Sequence, residues 1–109
     1  MNDLSKQRCI PCEGGVKPLT ETEAAKLLTE LRGGWQLVDG KLIQKFQFRD
    51  FKSALAFVNQ VGDIAEQEWH HPDIVISFNK VNITLYTHSI KGLSKNDFIV
   101  AAKVSELFR

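Results

Sequence analysis

Two stretches of alternating apolar and polar residues, each interrupted by a short turn sequence, constrain the fold most strongly. The first is WQLVDGKLIQKFQF, in which Asp39-Gly40 tolerates the positive φ angles of a tight hairpin turn. The second is DIVISFNKVNITLYTH, in which the alternation breaks around Asn79-Lys80. Because successive strand side chains point to opposite faces, each stretch predicts a β-hairpin with one apolar face. The residues predicted to face inward are Leu42, Phe46 and Phe48 in the first hairpin, and Ile74, Ile76, Phe78, Val81, Ile83 and Leu85 in the second.

Three segments with helical periodicity surround these hairpins. Thr20-Glu21-Thr22-Glu23 has the form of a capping box, and the apolar residues that follow recur at helical spacing until Gly33-Gly34. Asp50 is a suitable N-cap for a second helix, which Pro72 should end near Trp69–His70 because proline disfavours helical angles at the residue before it. The predicted apolar stripe of this helix is Phe51, Ala54, Leu55, Val58, Val61 and Ala65. Ser94 is predicted to cap a third helix, with Phe98, Ala101, Ala102 and Leu107 facing inward.

The resulting order, α-β-β-α-β-β-α, predicts an α+β fold, a four-stranded antiparallel sheet with helices packed on one face. A length of 109 residues suits one domain. Residues 1–18 lack such periodicity and are predicted to form a flexible N-terminal arm, so that residues 19–109 are the domain. A small sheet of this kind leaves an edge or a helix face able to pair, which predicts a homodimer or homotetramer.

Charge and hydropathy argue against several classes of partner. The formal net charge is +1, with no electrostatic footprint for a nucleic acid or an anionic membrane. The longest apolar run, FIVAA, is far shorter than a membrane span. The segment MNDLSKQRCIPC lacks the basic start and apolar stretch of a secretory signal, so we expect a cytoplasmic location.

All three histidines lie in one short region, as His70, His71 and His88. Glu66 precedes His70 by four residues, one helical turn, and both this carboxylate and the helix C-terminus favour a protonated His70. A second imidazole nearby would resist protonation, so that an acid and a base would be available at one pH. Surface histidines at the ends of elements, or a metal site, remain alternatives, although zinc needs three or four converging ligands. Spacing alone does not decide between them.

The arm contains a Cys9-Ile10-Pro11-Cys12 motif. A single CxxC offers only two soft ligands, and no second pair exists in the sequence. Pro11 and the glycines that follow oppose the helix N-terminus that a redox pair would need. We interpret the motif as part of an inert arm, with an intersubunit zinc or disulfide as alternatives.

Several motifs together resemble the pterin-4a-carbinolamine dehydratases. They are Glu66-x-x-x-His70-His71-Pro72, the aromatic Phe78, NKVNITLYTH ending at His88, and GLSKNDF with Asp97. The resemblance extends to Trp35, KFQFRDF and ALAFVNQVGDIAE, and covers roughly Leu19 to the C-terminus.

This resemblance implies a hydro-lyase that converts a 4a-hydroxytetrahydropterin into a quinonoid dihydropterin and water, in recycling of the pterin cofactor. It implies His70, His71, His88, Glu66 and Asp97 as catalytic positions, and Trp69, His70, His71, Tyr86, Thr87, His88 and Ser89 as pterin-binding positions. No metal or other cofactor is implied. Some members of the family serve as dimerisation partners of a transcription factor, so a non-catalytic interaction module is the alternative function.

Two assignments within this set stay open. Asp97 also fits the N3 position of a capping box begun by Ser94, a structural role. Which histidine is the acid and which the base is not determined by the sequence, although proximity to Glu66 favours His70 as the acid.

Overall fold

The computed structural model describes residues 3–10 and 17–107. Its regular elements are α1 (Glu21–Leu28), β1 (Gln36–Val38), β2 (Lys41–Gln47), α2 (Phe51–Glu68), β3 (Asp73–Ser77), β4 (Lys80–Leu85) and α3 (Lys95–Leu107). Short 3-10 helices lie at Leu4–Lys6 and His88–Ile90. The predicted α+β class and the order of helices and strands are confirmed.

The four strands form one antiparallel sheet in the order β1-β2-β4-β3. The register pairs Leu42 with Leu85 and Phe46 with Val81, which aligns the apolar positions of both hairpins on one face. These side chains are buried against the helices. The central strands β2 and β4 therefore form the sheet side of the hydrophobic core, and β1 and β3 are the edge strands.

The local turn and cap predictions hold at three places. Asp39 and Gly40 form the first hairpin turn, both with positive φ. Thr20 and Glu23 form the capping box, with each side chain bonded to the other residue's backbone N–H. Asp50 caps α2 by accepting a hydrogen bond from Ser53 N–H at 2.8 Å. Each signal lies within a few residues of chain, where neighbouring residues decide the conformation.

The predicted inward position of Phe78 is wrong. The second hairpin turns at Phe78-Asn79, one residue earlier than predicted, and Phe78 has φ 54° with 69 % of its surface exposed. The Asn79 side chain donates to Phe48 O at 2.7 Å, and Phe48 N–H donates to Asn79 O. These bonds to the end of β2 favour the observed turn over an alternation that continues through Phe78.

The predicted stripe of α2 is correct for Ala54, Val61 and Ala65, which are buried. Phe51 and Leu55 are exposed, and Phe57 takes the core position instead. The Phe57 ring lies 4.8 Å from that of Phe46 and 5.0 Å from that of Phe48, measured between centroids. Helical spacing permits either stripe, and the rings of Phe46 in β2 and Phe48 just after it favour the one that contains Phe57.

The described part of the N-terminal arm, residues 3–10, is hereafter called the arm segment. It packs on the domain, with its 3-10 helix against α3 and Leu4 buried in the main hydrophobic core. Lys103 on α3 donates to Ser5 O at 2.8 Å. Since α3 packs against α2 as well as against this 3-10 helix, much of its surface is buried, including Phe98, Ile99, Val100, Ala101 and Val104.

Within residues 3–10 and 17–107, no helix combines the length and apolar character needed to cross a bilayer.

Candidate active site

The end of α2 determines where the adjacent histidines lie. Trp69 has left-handed angles, φ 52° and ψ 39°, and the N–H groups of both Trp69 and His70 donate to Ala65 O. This arrangement stops the helix in the range predicted from Pro72. Because the chain leaves helical geometry at Trp69, His70 and His71 do not continue the helical face that carries Glu66.

His70 is paired with a buried carboxylate. Its Nε2 lies 2.6 Å from Asp97 Oδ1, and the Asp97 side chain is fully buried while that of His70 is 12 % exposed. The other oxygen, Oδ2, accepts hydrogen bonds from the Thr87 hydroxyl at 2.7 Å and from Ser94 N–H at 3.0 Å. Thr87 and Ser94 hydroxyl oxygens are 2.8 Å apart. The end of α2, the chain after β4 and the start of α3 thus meet at one carboxylate.

Asp97 has the capping geometry that the sequence offered as its structural role, and it also contacts His70. One oxygen reaches back to Ser94 N–H, as the third residue of a helix does in a capping box, and the other contacts the imidazole. A buried carboxylate must have its acceptor sites satisfied, and three donors do so here. The helix cap therefore fixes the oxygen that orients His70.

Glu66 contacts His71 and not His70. Its Oε2 lies 2.5 Å from His71 Nε2, with the two side chains 72 % and 52 % exposed. The expected pairing of Glu66 with His70 is therefore wrong, because that expectation required helical geometry to continue past Trp69. This exposed pair is separate from the buried pair of His70 with Asp97.

The remaining predicted positions follow β4. His88 begins the second 3-10 helix, is exposed, and packs edge-on against Tyr86 with ring centroids 5.0 Å apart. Thr87, between them, is buried and bonded to Asp97. Thr87 N–H also donates to Gly92 O, closing the loop that carries His88 and Ser89.

A cavity of about 360 Å³ adjoins the buried pair. Of the predicted site residues, it brings together Trp69, His70, Thr87 and Ser89; Glu66, His71, Tyr86, His88 and Asp97 do not line it. Its other lining residues are Arg8, Cys9, Ile10, Gln67, Glu68 and Asn96. Trp69 is 83 % exposed, so an aromatic face is available to a ligand.

Sequence reasoning missed Glu68, Asn96 and the arm segment as parts of this region. Glu68 follows Val61 and Ala65 on the buried side of α2, and a carboxylate at such a spacing was a detectable signal. Burial acts to raise the pKa of Glu68. A hydrogen bond from Cys9 N–H and the positive charges of Lys103 and Arg8 outweigh burial and hold that pKa below its usual range. Asn96 and the arm segment gave no comparable signal.

Two observations bear on metal and thiol chemistry. In the part of the chain that the structure describes, no three His, Cys, Asp or Glu side chains converge on a point where they could hold a metal ion. Burial, followed by the negative charge of Glu68, raises the pKa of the Cys9 thiol to about 12, so this thiol is a poor nucleophile at neutral pH. Cys12, its partner in the CxxC motif, lies outside the described residues.

Comparison with known proteins adds relatives along nearly the whole chain. A protein of Rickettsia canadensis is 50 % identical over 105 residues, which cover 95 % of this chain and 96 % of the relative. One of Nitrosomonas eutropha is 48 % identical over 105 residues, covering 96 % of this chain and 93 % of the relative. Both are named provisionally as pterin-4-alpha-carbinolamine dehydratases.

Two solved structures are also similar. A protein from Brucella melitensis described as a transcriptional coactivator/pterin dehydratase has a TM-score of 0.79 and 36 % identity, over 84 % of this chain and 98 % of its own. A pterin dehydratase-like protein described as a RuBisCO assembly factor in the alpha-carboxysome has a TM-score of 0.56 and 25 % identity, over 68 % of this chain and 86 % of its own. The family model described as pterin 4 alpha carbinolamine dehydratase matches residues 17–107. The chain therefore belongs to the pterin 4 alpha carbinolamine dehydratase family.

Proposed function

We propose that this protein dehydrates a 4a-hydroxytetrahydropterin to a quinonoid dihydropterin and water by histidine acid–base catalysis. The observation that carries the proposal is the pair of His70 with buried Asp97 beside a cavity, in a domain of the dehydratase family. The reaction needs a proton delivered to the departing hydroxyl oxygen and a proton removed from a ring nitrogen. Neither step requires a redox cofactor or a metal.

The contact with Asp97 supports His70 as the base. A carboxylate can only accept, so a hydrogen bond between Asp97 and Nε2 keeps a proton on that nitrogen. The neutral ring then carries its lone pair on Nδ1, which can take the proton from the substrate ring nitrogen. Asp97 stabilises the imidazolium that forms, as the carboxylate of a catalytic triad does. Asp97 is thus a positioning residue, and this assignment reverses the role that the sequence favoured for His70.

The proton for the departing hydroxyl group comes from one of the exposed histidines in this proposal. His71 is the stronger candidate because it directly follows His70 and its Nε2 contacts the Glu66 carboxylate, an acceptor that stabilises a proton on the ring. His88 is the alternative, supported by its place one residue after Thr87, which is bonded to Asp97.

Trp69 supplies a surface for the flat pterin ring. It is the C-cap residue that follows α2, in a left-handed conformation that L residues adopt at a cost, and its indole is exposed at the cavity. Stacking of the ring on this indole would hold the reacting carbon near His70, with Thr87 and Ser89 on another wall. Tyr86, which packs edge-on against His88, lies outside the lining of this cavity.

The direct test is formation of quinonoid dihydropterin by purified protein in a stopped assay, with and without a chelator. We expect acceleration that chelation leaves unchanged. Replacing His70 or His71 with Ala should slow turnover by roughly 10²–10⁴-fold. A double variant should lose far less than the product of the two effects, because both residues act on one transition state. Full activity in single histidine variants that melt many degrees lower would make these histidines structural.

The second candidate is a non-catalytic interaction module. It is favoured by the descriptions of the two similar structures, one a coactivator/pterin dehydratase and the other an assembly factor. A pure interaction module would have no use for the buried pair of His70 with Asp97, so dehydration remains the first proposal. Absence of turnover together with co-purification of a helical partner would favour the module.

We also propose that the chain forms a homodimer or homotetramer in the cytoplasm. Strand β3 is a sheet edge, and the exposed Val75 on it and Phe78 at its end would be covered by pairing. Phe51 and Leu55 form a second exposed apolar surface on α2. The free thiol of Cys9 is compatible with a reducing compartment. Sedimentation at tens of micromolar (on the order of assay concentrations) should show an oligomer, and a monomer would contradict it.

A further inference from the structure

The arm segment lies against the cavity that His70 lines. Arg8, Cys9 and Ile10 contribute directly to the lining of this cavity, beside His70 and Trp69. The family model begins at residue 17, so these residues lie outside the matched domain. The reaction proposed above uses none of them, and their position at the cavity calls for a separate explanation.

Two buried polar side chains hold the backbone of the arm segment. Glu68 Oε1 accepts from Cys9 N–H at 2.8 Å. Asn96 Oδ1 accepts from Ile10 N–H at 3.0 Å, and its Nδ2 donates to Ile10 O at 2.5 Å. The Asn96 amide thus pairs with residue 10 in both directions, as a neighbouring strand would. Because the bonds go to backbone atoms, they fix the path of the chain and leave the side chains of Arg8 and Ile10 at the cavity.

Arg8 is held in place without being enclosed. Its Nε lies 3.1 Å from Glu68 Oε2, and one terminal nitrogen donates to Gln67 O at 3.4 Å. The side chain is 75 % exposed, so the guanidinium remains open to the solvent-filled side of the cavity. A guanidinium fork carries five N–H donors, more than these contacts use.

A substrate in this cavity must contact the arm segment. If the substrate ring nitrogen lies within hydrogen-bond reach of His70, the rest of the ligand faces the other lining residues, which include Arg8 and Ile10. A guanidinium recognises oxygen acceptors, whether hydroxyl, carboxylate or phosphate oxygens. Every 4a-hydroxytetrahydropterin has the C4 carbonyl and the 4a-hydroxyl oxygens, so the oxygens that differ from one pterin to another are those of the ring substituent.

We propose that Arg8 is a specificity-determining residue that selects pterins with an oxygen-bearing ring substituent, and that Glu68 and Asn96 hold the arm segment in position for this. The inference rests on the proposed dehydratase function. It predicts that substrate preference is encoded in the N-terminal arm, outside the domain that carries the histidines.

The test compares two 4a-hydroxytetrahydropterins, one with a methyl and one with a dihydroxypropyl substituent, in Arg8→Ala, Arg8→Lys and Arg49→Ala variants of the full chain. Arg49 is the matched control because it is also an exposed arginine in an ion pair, with Asp50, at the start of α2. We expect Arg8→Ala to raise KM for the dihydroxypropyl substrate about 3- to 10-fold, the effect of one solvent-exposed charged hydrogen bond. KM for the methyl substrate and both kcat values should not change.

Arg8→Lys should recover part of the preference, and Arg49→Ala should leave both KM values unchanged. Equal KM changes for the two substrates, or none, would overturn the role of Arg8 while the protein still turns over. Quenching of tryptophan fluorescence by a stable dihydropterin with the dihydroxypropyl substituent gives a second readout, because Trp69 lines the same cavity. Unchanged affinity in Arg8→Ala would also refute the inference, whether or not dehydration is observed.

Discussion

Replacing Asp97 with Asn tests the link between the buried pair and the chemistry. The amide oxygen can take the place of Oδ2 and keep the hydrogen bonds from Ser94 N–H and the Thr87 hydroxyl. The amide nitrogen then faces His70 Nε2, where a carboxylate oxygen stood at 2.6 Å. Since both would be donors, His70 must move its proton to Nδ1, and the lone pair needed by the reaction is lost.

The two effects of this substitution differ greatly in size. Asn retains two of the three accepted bonds, so the stability cost is that of one charged hydrogen bond, roughly 1.5–3 kcal/mol. For a domain of this size that lowers Tm by about 6–24 °C. Loss of the base should lower kcat by roughly 10²–10⁴-fold. Asp97→Ala, which removes all three acceptors from a buried site, should cost about 3–5 kcal/mol.

The assay is kcat for quinonoid dihydropterin formation, measured well below the Tm of each variant, alongside thermal unfolding. Asp63→Asn on α2 makes the same chemical change at an exposed position and serves as the matched control. An Asp97→Asn protein that remains folded and keeps kcat within about threefold of the parent value would refute the reasoning, because tautomer control would then be irrelevant to turnover.

Three further perturbations have defined outcomes. Trp69→Gly should raise the free energy of unfolding by about 0.5–1 kcal/mol, since glycine adopts left-handed angles without strain, and should weaken pterin binding about tenfold. Urea unfolding measures the first effect and a binding titration the second. A loss of stability would show that the indole packs structurally. The pKa of Glu68 is lowered in the folded state relative to an unfolded value of about 4.3, so its stabilisation is present above that pH and is lost as the pH falls through the folded pKa. Glu68→Gln should therefore flatten the acid limb of stability against pH, and an unchanged limb would exclude this carboxylate as its source. Because the pKa of Cys9 is about 12, its alkylation at about pH 8 should be roughly 10³-fold slower than that of an ordinary thiol. Mass spectrometry of the Cys9 peptide follows the alkylation, and rapid labelling would contradict a buried environment for this thiol.

The elements that the sequence predicts well are those decided by neighbouring residues. The capping box at Thr20 and Glu23, the turn at Asp39-Gly40 and the helix end before Pro72 each depend on a few consecutive residues. Their backbone preferences act locally and survive in the folded chain. The fold class follows, because these boundaries separate helical from strand periodicity.

Side-chain contacts that depend on tertiary packing could not be predicted from neighbouring residues in this way. Phe57 rather than Leu55 enters the core because the rings of Phe46 and Phe48, in β2 and just after it, pack against Phe57. Glu66 meets His71 because one left-handed residue redirects the chain after α2. The arm segment shows no periodicity, and its attachment depends on Glu68 and Asn96, which lie far from it in sequence. The sequence indicated the histidine cluster, but not the contacts that distinguish His70, paired with buried Asp97, from His71, paired with exposed Glu66.

The strand order β1-β2-β4-β3 affects when, during folding, the pair of His70 with Asp97 can form. Two of the three strand pairs, β1-β2 and β3-β4, are hairpins of strands that are adjacent in sequence, and such hairpins form within about 1–10 μs in isolation. Strands β2 and β4 are separated in the sequence by α2 and β3, so their pairing should govern the folding rate. Asp97 lies on α3, 27 residues after His70, so this contact depends on a helix that is synthesised after all four strands. A growing chain on the ribosome would therefore contain all three histidines before the pair of His70 with Asp97 could form, because that pair requires α3 to dock.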